Sequence, residues 1–230
     1  MNSVSAAIDF STILASSVHD MKNSLSMVID SLDNLTTTLE SADSPANGEV
    51  VRLKYETKRL NNQLVLLLTL YKLGNSQYQL DIADHDVGGF IDETTLAYRE
   101  LLLQRGIHLE IDTPTNLVGY FDASLVAGVI HNIINNGCRY TRDTLKISAH
   151  RQDDWLIITI ADNGDGYPAE MLMRDSSSHS GIDFHTGSTG LGFYFSAQIA
   201  KLHHHRDKTG YIKIDNEGLA QGGRFTLYLP

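Results

Sequence analysis

Leu156-Ile157-Ile158-Thr159-Ile160-Ala161-Asp162-Asn163-Gly164-Asp165-Gly166-Tyr167-Pro168 decides how the rest of the chain is read. Its first six residues are nearly all apolar. A short apolar run bounded by turn formers is the pattern of a central strand buried on both faces. The run passes without a spacer into Asp-x-Gly-x-Gly. Gly164 and Gly166 let the backbone pass close to a flat ligand. Asp162, at the strand end, offers a carboxylate that can accept from an exocyclic amine. Taken alone, Asp-x-Gly-x-Gly is also a common turn, so its meaning depends on its neighbours.

Toward the N-terminus, Thr144 to His150 reads as a second strand, joined to the central one by the turn Arg151-Gln152-Asp153-Asp154. Before it a helix is predicted from Ala123 to Cys138, with Asp122 as its N-cap. Leu125, Val126, Val129, Ile130, Ile133 and Ile134 make its apolar face. Asn132 and Asn136 stand four residues apart on another face. Carboxamides lower helix propensity, so the pair admits two readings. One is a Mg²⁺ site completed by phosphate oxygens, since an amide oxygen is a hard ligand. The other is a solvent-facing polar stripe. Further upstream the alternation predicts strands over 78–84, 107–112 and 117–121, and a helix over 87–104.

Toward the C-terminus, residues 169–189 show no periodicity and include the small polar run Ser176-Ser177-Ser178-His179-Ser180-Gly181. Irregular stretches of this length are usually functional or disordered. A lid over a ligand and a loop with no role both fit. Gly187-Ser188-Thr189-Gly190-Leu191-Gly192-Phe193 then opens a helix from about Leu191 to Leu202. A glycine loop at a helix start aims free N–H groups and the positive end of the helix dipole at an anion. His203-His204-His205-Arg206 reads as a solvated turn, with metal binding as the alternative. Two strands, 211–215 and 224–229, close the chain, joined through Gly218 and Gly222-Gly223.

The first 75 residues follow a different period. Leu14, Val18, Met21, Leu25, Val28, Leu32, Leu35 and Leu39 step by four and three without a miss, a heptad seam. Residues 41–48, Ser-Ala-Asp-Ser-Pro-Ala-Asn-Gly, are turn formers. A second seam follows through Leu53, Thr57, Leu60, Leu64, Leu67 and Tyr71 and ends at Gly74-Asn75, a helix C-terminal signal. Two such helices make an antiparallel hairpin. A hairpin cannot cover its own seam, so two are expected to dimerise into a four-helix bundle. His19 lies one residue off the seam, on the flank, with Asp20 beside it and Asn23 on its face one turn on. By itself, a lone flank histidine is most simply a polar surface residue.

The totals set outer bounds. The chain has 230 residues, 42% hydrophobic and 20% charged, within the range of an ordinary globular protein. A net charge of −10 argues against general nucleic-acid binding, which needs a basic face. The single Cys138 fits a reducing compartment. No basic start followed by an apolar core marks a leader, and no run of 18 apolar residues marks a membrane span. A cytoplasmic location is expected.

In this order the motifs resemble the transmitter core of a sensor histidine kinase, from about Leu14 to Pro230. His19-Asp20-Met21-Lys22-Asn23-Ser24-Leu25 is similar to the family's phosphoacceptor box, and residues 132–141 to its asparagine box. Asp162-Asn163-Gly164-Asp165-Gly166 and Gly190-Leu191-Gly192 are similar to its two glycine boxes. The resemblance implies an α+β chain. Residues 1–76 would form the dimerisation and phosphotransfer hairpin. Residues 77–230 would form an ATP-binding α/β sandwich, a mixed sheet with helices on one face, shared with the gyrase, Hsp90 and MutL ATPases.

It also implies roles. His19 would attack the γ-phosphate of ATP through Nε2, and Asp20 would hold and polarise its imidazole. Asn23 would orient a water for dephosphorylating a response regulator. Asn136, with Asn132 as a second candidate ligand, would carry Mg²⁺. Arg139 would touch phosphate, Tyr140 would flank the nucleotide and Asp162 would read the adenine amine, with Gly164 and Gly166 beside it. Thr189, Gly190, Leu191 and Gly192 would lie at the nucleotide, the two glycines lining its phosphates. The implied partners are a response regulator receiver domain and a second copy of the chain; since the stretch ahead of His19 is too short for a sensor, the signal would come from a separate sensor protein or from a longer chain of which this is the catalytic end. Four departures stand out. Gly137 replaces the usual alanine and is expected to loosen that helix end. Ser188 replaces a glycine, Phe184 is the only candidate for a lid phenylalanine, and the histidine run replaces His-Gly-Gly. Two other readings remain: a phosphotransfer or scaffold protein with a decayed nucleotide domain, and an ATPase of this fold without phosphohistidine.

Overall fold

A computed structural model describes residues 18, 21–23, 25–32, 35, 46–75, 77–172 and 191–230. The chain divides into two compact units between Gln79 and Leu80.

In the first unit, residues 21–23 and 25–32 are helical, and helix α1 spans Ala46–Gly74. It begins inside the stretch read as a turn. Ala46, a residue type of the highest helix propensity, stands at its start, and Asn47 and Gly48 are accommodated in the first turn. The end is as expected. Asn75 donates from both its backbone N–H and its Nδ2 to the Tyr71 carbonyl, at 3.1 and 2.9 Å, closing the last turn. The seam splits into two sets. Val18, Leu32 and Thr57 are buried, as is Leu66 beside the seam. Met21, Val28 and Leu35, seven residues apart, and Leu53, Leu60 and Leu67, again seven apart, are 37–51% exposed. The link between the two expected hairpin helices, residues 36–45, lies outside the described residues.

In the second unit, strand β1 (Ile82–Asp86) pairs antiparallel with β3 (Val118–Asp122). A separate five-stranded sheet has the order β2 (His108–Asp112), β4 (Thr144–Gln152), β5 (Trp155–Asp162), β9 (Arg224–Leu229), β8 (Tyr211–Asp215). Only β2 and β4 run parallel, so the sheet is mixed. β5 is central, as its apolar run required. Registers pair Ile147 with Ile160, Ile160 with Phe225 and Ile158 with Leu227. These side chains share one face, and all are buried. Helices α2 (Val87–Gln104), α3 (Ala123–Tyr140) and α5 (Leu191–Leu202) complete that core, α2 packing on β2, α3 on β5, and α5 on β8 and β9. A one-turn helix α4 (Ala169–Leu172) follows the glycine turn. Among the described residues no helix is long and apolar enough to cross a membrane.

Three expectations change. β1 runs over 82–86 rather than 78–84, because Ile82 pairs with Asp122 and the strand continues until Asp86 caps α2, accepting from the Gly89 N–H at 2.8 Å. Helix α3 continues past Gly137 to Tyr140. Gly137 is buried, and the methyls of Leu145 stand 3.1 and 3.3 Å from where its Cβ would be, so packing from β4 takes the place of the missing methyl. The histidine run is not a solvated turn throughout. His203 is buried, while His204–His205 forms β6 of a small hairpin with β7 (Lys208–Thr209), turning at Arg206 with φ 52°.

Candidate nucleotide site

Asp162 ends β5, and its two carboxylate oxygens are used differently. Oδ1 accepts the N–H groups of Gly164 at 2.7 Å and Gly223 at 3.2 Å. Among the described residues no donor reaches Oδ2. The Asp162 N–H in turn donates to the Gly223 carbonyl at 2.9 Å. The carboxylate is thus fixed through one oxygen and open at the other, the arrangement needed to accept from a ligand's N–H.

The turn after Asp162 is held by two asparagines. Asn163 Oδ1 accepts the N–H groups of Asp143 and Thr144, both at 3.1 Å, and its Nδ2 donates to Asp143 Oδ1 at 2.7 Å. Hydrogen bonds from the Thr144 hydroxyl and from Asn163 hold the Asp143 carboxyl below its usual range. Asn216 Oδ1 accepts from the Tyr167 N–H at 2.7 Å, and its Nδ2 donates to the Tyr167 carbonyl at 3.0 Å. Gly166 has φ +78°, a conformation that favours glycine.

One glycine of each motif, Gly164 and Gly192, lies against α3. A Cβ on Gly164 would overlap the Tyr140 carbonyl at the end of that helix, and one on Gly192 would overlap the Asn132 carboxamide. Asn132 Nδ2 is buried without a partner among the described residues. A buried amide donor without a partner is costly, and here it sits beside the first turn of α5, where N–H groups and the helix dipole favour an anion. Asn136 lies one turn further along α3, half-buried. Tyr140 is 54% exposed, with the Arg139 guanidinium 5.3 Å from its ring centroid. Arg105 Nη1 donates to the Cys138 carbonyl at 2.8 Å and so fixes the end of the helix that carries them.

The start of α3 is fixed as firmly. Asp122 Oδ1 accepts from the Leu125 N–H and Oδ2 from the Asp81 N–H, both at 3.0 Å. The Asp122 N–H donates to His203 Nε2 at 3.0 Å, and His203 Nδ1 donates to the Ile199 carbonyl at 2.8 Å. This pairing needs the neutral ring with its proton on Nδ1, and burial lowers the pKa of the imidazole accordingly.

The structure thus brings Asn132, Asn136, Arg139, Tyr140, Asp162, Gly164, Gly166, Leu191 and Gly192 into one part of the second unit. Asn23 is helical and exposed in the first unit. His19, Asp20, Thr189, Gly190, Ser188 and Phe184 lie outside the described residues. Sequence reasoning missed Asn216, Tyr167 and the Gly222-Gly223 pair as parts of the site. It missed His203 as a support. Asn163 was read only as part of the turn.

These residues suit a nucleotide with a metal: an open acceptor for the adenine amine, a glycine cradle, and an unpaired amide near a helix start. Amide oxygens of Asn132 and Asn136 are hard donors. Among the described residues no group of three His, Cys, Asp or Glu could hold an ion alone, so phosphate oxygens would have to complete the shell.

The fold and the site of the second unit are similar to the ATP-binding core of histidine kinases. Residues 121–230 match the family model described as histidine kinase-, DNA gyrase B-, and HSP90-like ATPase. Over 229 residues the chain is 24% identical to the adaptive-response sensory kinase SasA of Crocosphaera subtropica, covering 95% of this chain and 58% of that protein. The chain therefore spans little more than half the length of that relative. Among solved structures, the histidine kinase AdeS of Acinetobacter baumannii is similar with a TM-score of 0.59 at 22% identity, over 90% of this chain and 95% of that one. Full-length ShkA in complex with AMPPNP is similar with a TM-score of 0.60 at 16% identity, over 94% of this chain and 45% of that one. At these identities the structures speak to fold alone.

Proposed function

We propose that the chain is the transmitter of a two-component histidine kinase, which phosphorylates itself on His19 from ATP and passes the phosphoryl group to an aspartate of a response regulator. The observation that carries this reading is the convergence of one glycine from each motif on the asparagine helix beside an Asp162 oxygen left open for an amine. The relative SasA is a sensory kinase by name, and ShkA was solved with an ATP analogue.

In this reading the bond from the γ-phosphorus to the bridging oxygen of ADP breaks as a bond to His19 Nε2 forms. Asp20 orients the imidazole and steadies the positive charge that develops on it. Such transfers depend mainly on positioning and charge neutralisation. Arg139 would supply a cation for that task; Asn136 and Asn132 would hold Mg²⁺, which would supply further charge neutralisation in a chain of net charge −10. Tyr140 flanks the nucleotide, and Thr189, Gly190, Leu191 and Gly192 meet its phosphates. Asn23, exposed in the first unit, orients a water in this reading, in a separable phosphatase reaction on the regulator. The exposed ladders Met21-Val28-Leu35 and Leu53-Leu60-Leu67 support a homodimer, since a contiguous apolar stripe at heptad spacing fits a second helix pair. The buried thiol of Cys138 and the demand for ATP suit the cytoplasm, and a separate sensor protein or further chain supplies the signal.

Incubation with γ-labelled ATP and Mg²⁺ tests the reading. Acid-labile, base-stable label that disappears in His19→Ala and on chelation of Mg²⁺ is the expected result. Nucleotide binding without label points instead to an ATPase of the same fold, and absence of binding points to a scaffold with a decayed nucleotide domain.

A further inference from the structure

Resting on the nucleotide reading above, we propose that Tyr167 is the size-limiting wall of the base site, deciding how large a substituent on the adenine exocyclic amine the protein accepts.

Its ring and the open oxygen of Asp162 face the same point. Where a Cβ on Gly223 would stand, Asp162 Oδ2 is 2.9 Å away, and Tyr167 Cε2 and Cζ are 3.2 and 3.4 Å away. The phenol therefore lies immediately beside the acceptor that an amine would use. The ring has little freedom to retreat. Asn216 ties the Tyr167 backbone through both its N–H and its carbonyl, and the same carboxamide stands 2.7–2.9 Å from where a Cβ on Gly166 would be. The ring packs edge-on against Phe193 of α5, with centroids 5.7 Å apart, and Phe193 lies against Phe225 of the central sheet at 6.2 Å. Burial, then the charges of Asp162 and Asp215, push the phenol pKa well above its usual range, as expected for a hydroxyl among carboxylates.

Neither Asp162 Oδ1 nor Asp215 competes for the role of open acceptor. Asp162 Oδ1 is filled by two backbone N–H groups. Asp215 is held by Arg224, from Nε at 2.8 Å and from Nη2 at 2.9 Å. An unsubstituted amine can donate to Oδ2. A bulky group in place of its second hydrogen needs the space the ring fills. Asn216 is the positioning residue in this account, acting through the Tyr167 backbone.

The test titrates ATP and N6-benzyl-ATP, with Mg²⁺, into the full chain and its variants by calorimetry. Wild type is expected to bind ATP and to discriminate against the benzyl analogue. In Tyr167→Ala the ratio of the two affinities should move toward the analogue by at least about tenfold, the scale of one or more methylenes in a pocket. Tyr167→Phe should keep the wild-type ratio, because size rather than the hydroxyl decides. Asn216→Ala should move the ratio in the same direction as Tyr167→Ala, by less. If Tyr167→Ala fails to fold, Tyr167→Val carries the same comparison. ATP binding that persists in the truncated variant with an unchanged ratio overturns the inference and leaves the nucleotide reading standing. A wild type that binds neither nucleotide overturns both. An unchanged ratio in Asn216→Ala removes the positioning role.

Discussion

Replacing His203 by alanine removes a ring that joins two helices through 2.8 and 3.0 Å hydrogen bonds. The Asp122 N–H and the Ile199 carbonyl are left without their partner in a site where His203 is 2% exposed. A buried polar group without a partner costs about 1–3 kcal/mol, and the lost packing adds to it. We expect a loss of about 2–4 kcal/mol, read as a fall in melting temperature of roughly 6–12 °C for a domain of this size. The pH dependence is a second signature. Burial favours the neutral ring, so the folded protein takes up this proton at a lower pH than the unfolded chain does. Between those two values the unfolded state holds more protons, and stability falls as the pH drops below about 6.5, levelling off beneath the folded value. Buried His131 shifts in the same direction for the same reason. The assay is therefore urea unfolding of wild type and His203→Gln from pH 8 to pH 5, where His131 cancels in the difference. The stability advantage of wild type should shrink as the pH falls. A difference that stays constant across that range, or a His203→Ala penalty under about 0.5 kcal/mol, refutes the account of His203 as a buried neutral link.

Other perturbations follow from the same geometry. Burial pushes the Cys138 thiol up to about 11, so labelling by a thiol reagent at pH 8 should run roughly 100-fold slower in the native protein than in urea; equal rates would mean the thiol is accessible. Gly164→Ala drives a methyl into the Tyr140 carbonyl and should lower stability by about 2 kcal/mol or more and weaken ATP binding, both measurable on one preparation. Asp162→Asn exchanges the open acceptor for a donor facing a donor, and ATP affinity should fall about 100-fold or more with little change in melting temperature. If the proposed homodimer forms through the exposed ladder, Leu60→Asp should shift the chain toward monomer in light scattering; an unchanged mass would remove the ladder as its interface.

What could be read from sequence was whatever depends on near neighbours. The alternation of 107–112 and the apolar run that begins at Leu156 marked both strands, because strand pattern repeats within a few residues. Asp122 was legible as an N-cap because its Leu125 partner is three residues on. The residues that escaped have distant partners. Asn216 reaches Tyr167 across 49 positions and His203 reaches Asp122 across 81. No local pattern separates such a histidine from the exposed His204 and His205 beside it. The turn over 218–223 was legible only as glycine-rich. Ala220 and Gln221 adopt φ of 48° and 66° there without the residue type that usually marks that conformation. That turn delivers the Gly223 N–H to Asp162, so half of the support for the open carboxylate was invisible.

The link from His203 to Asp122 also gives α5 a mechanical character. The helix is tethered at its C-terminal end, while its N-terminal end presents Gly192 to Asn132. It is a rod anchored at one tip, with its other tip against Asn132. From Gly192 to His203 the rod is about 16 Å long at 1.5 Å per residue. A tilt of about 5° at the pivot would sweep its free tip by roughly 1.4 Å over that length, enough to open or close the contact with the asparagine. The buried His203 is thereby the fulcrum of the helix whose first turn meets Asn132.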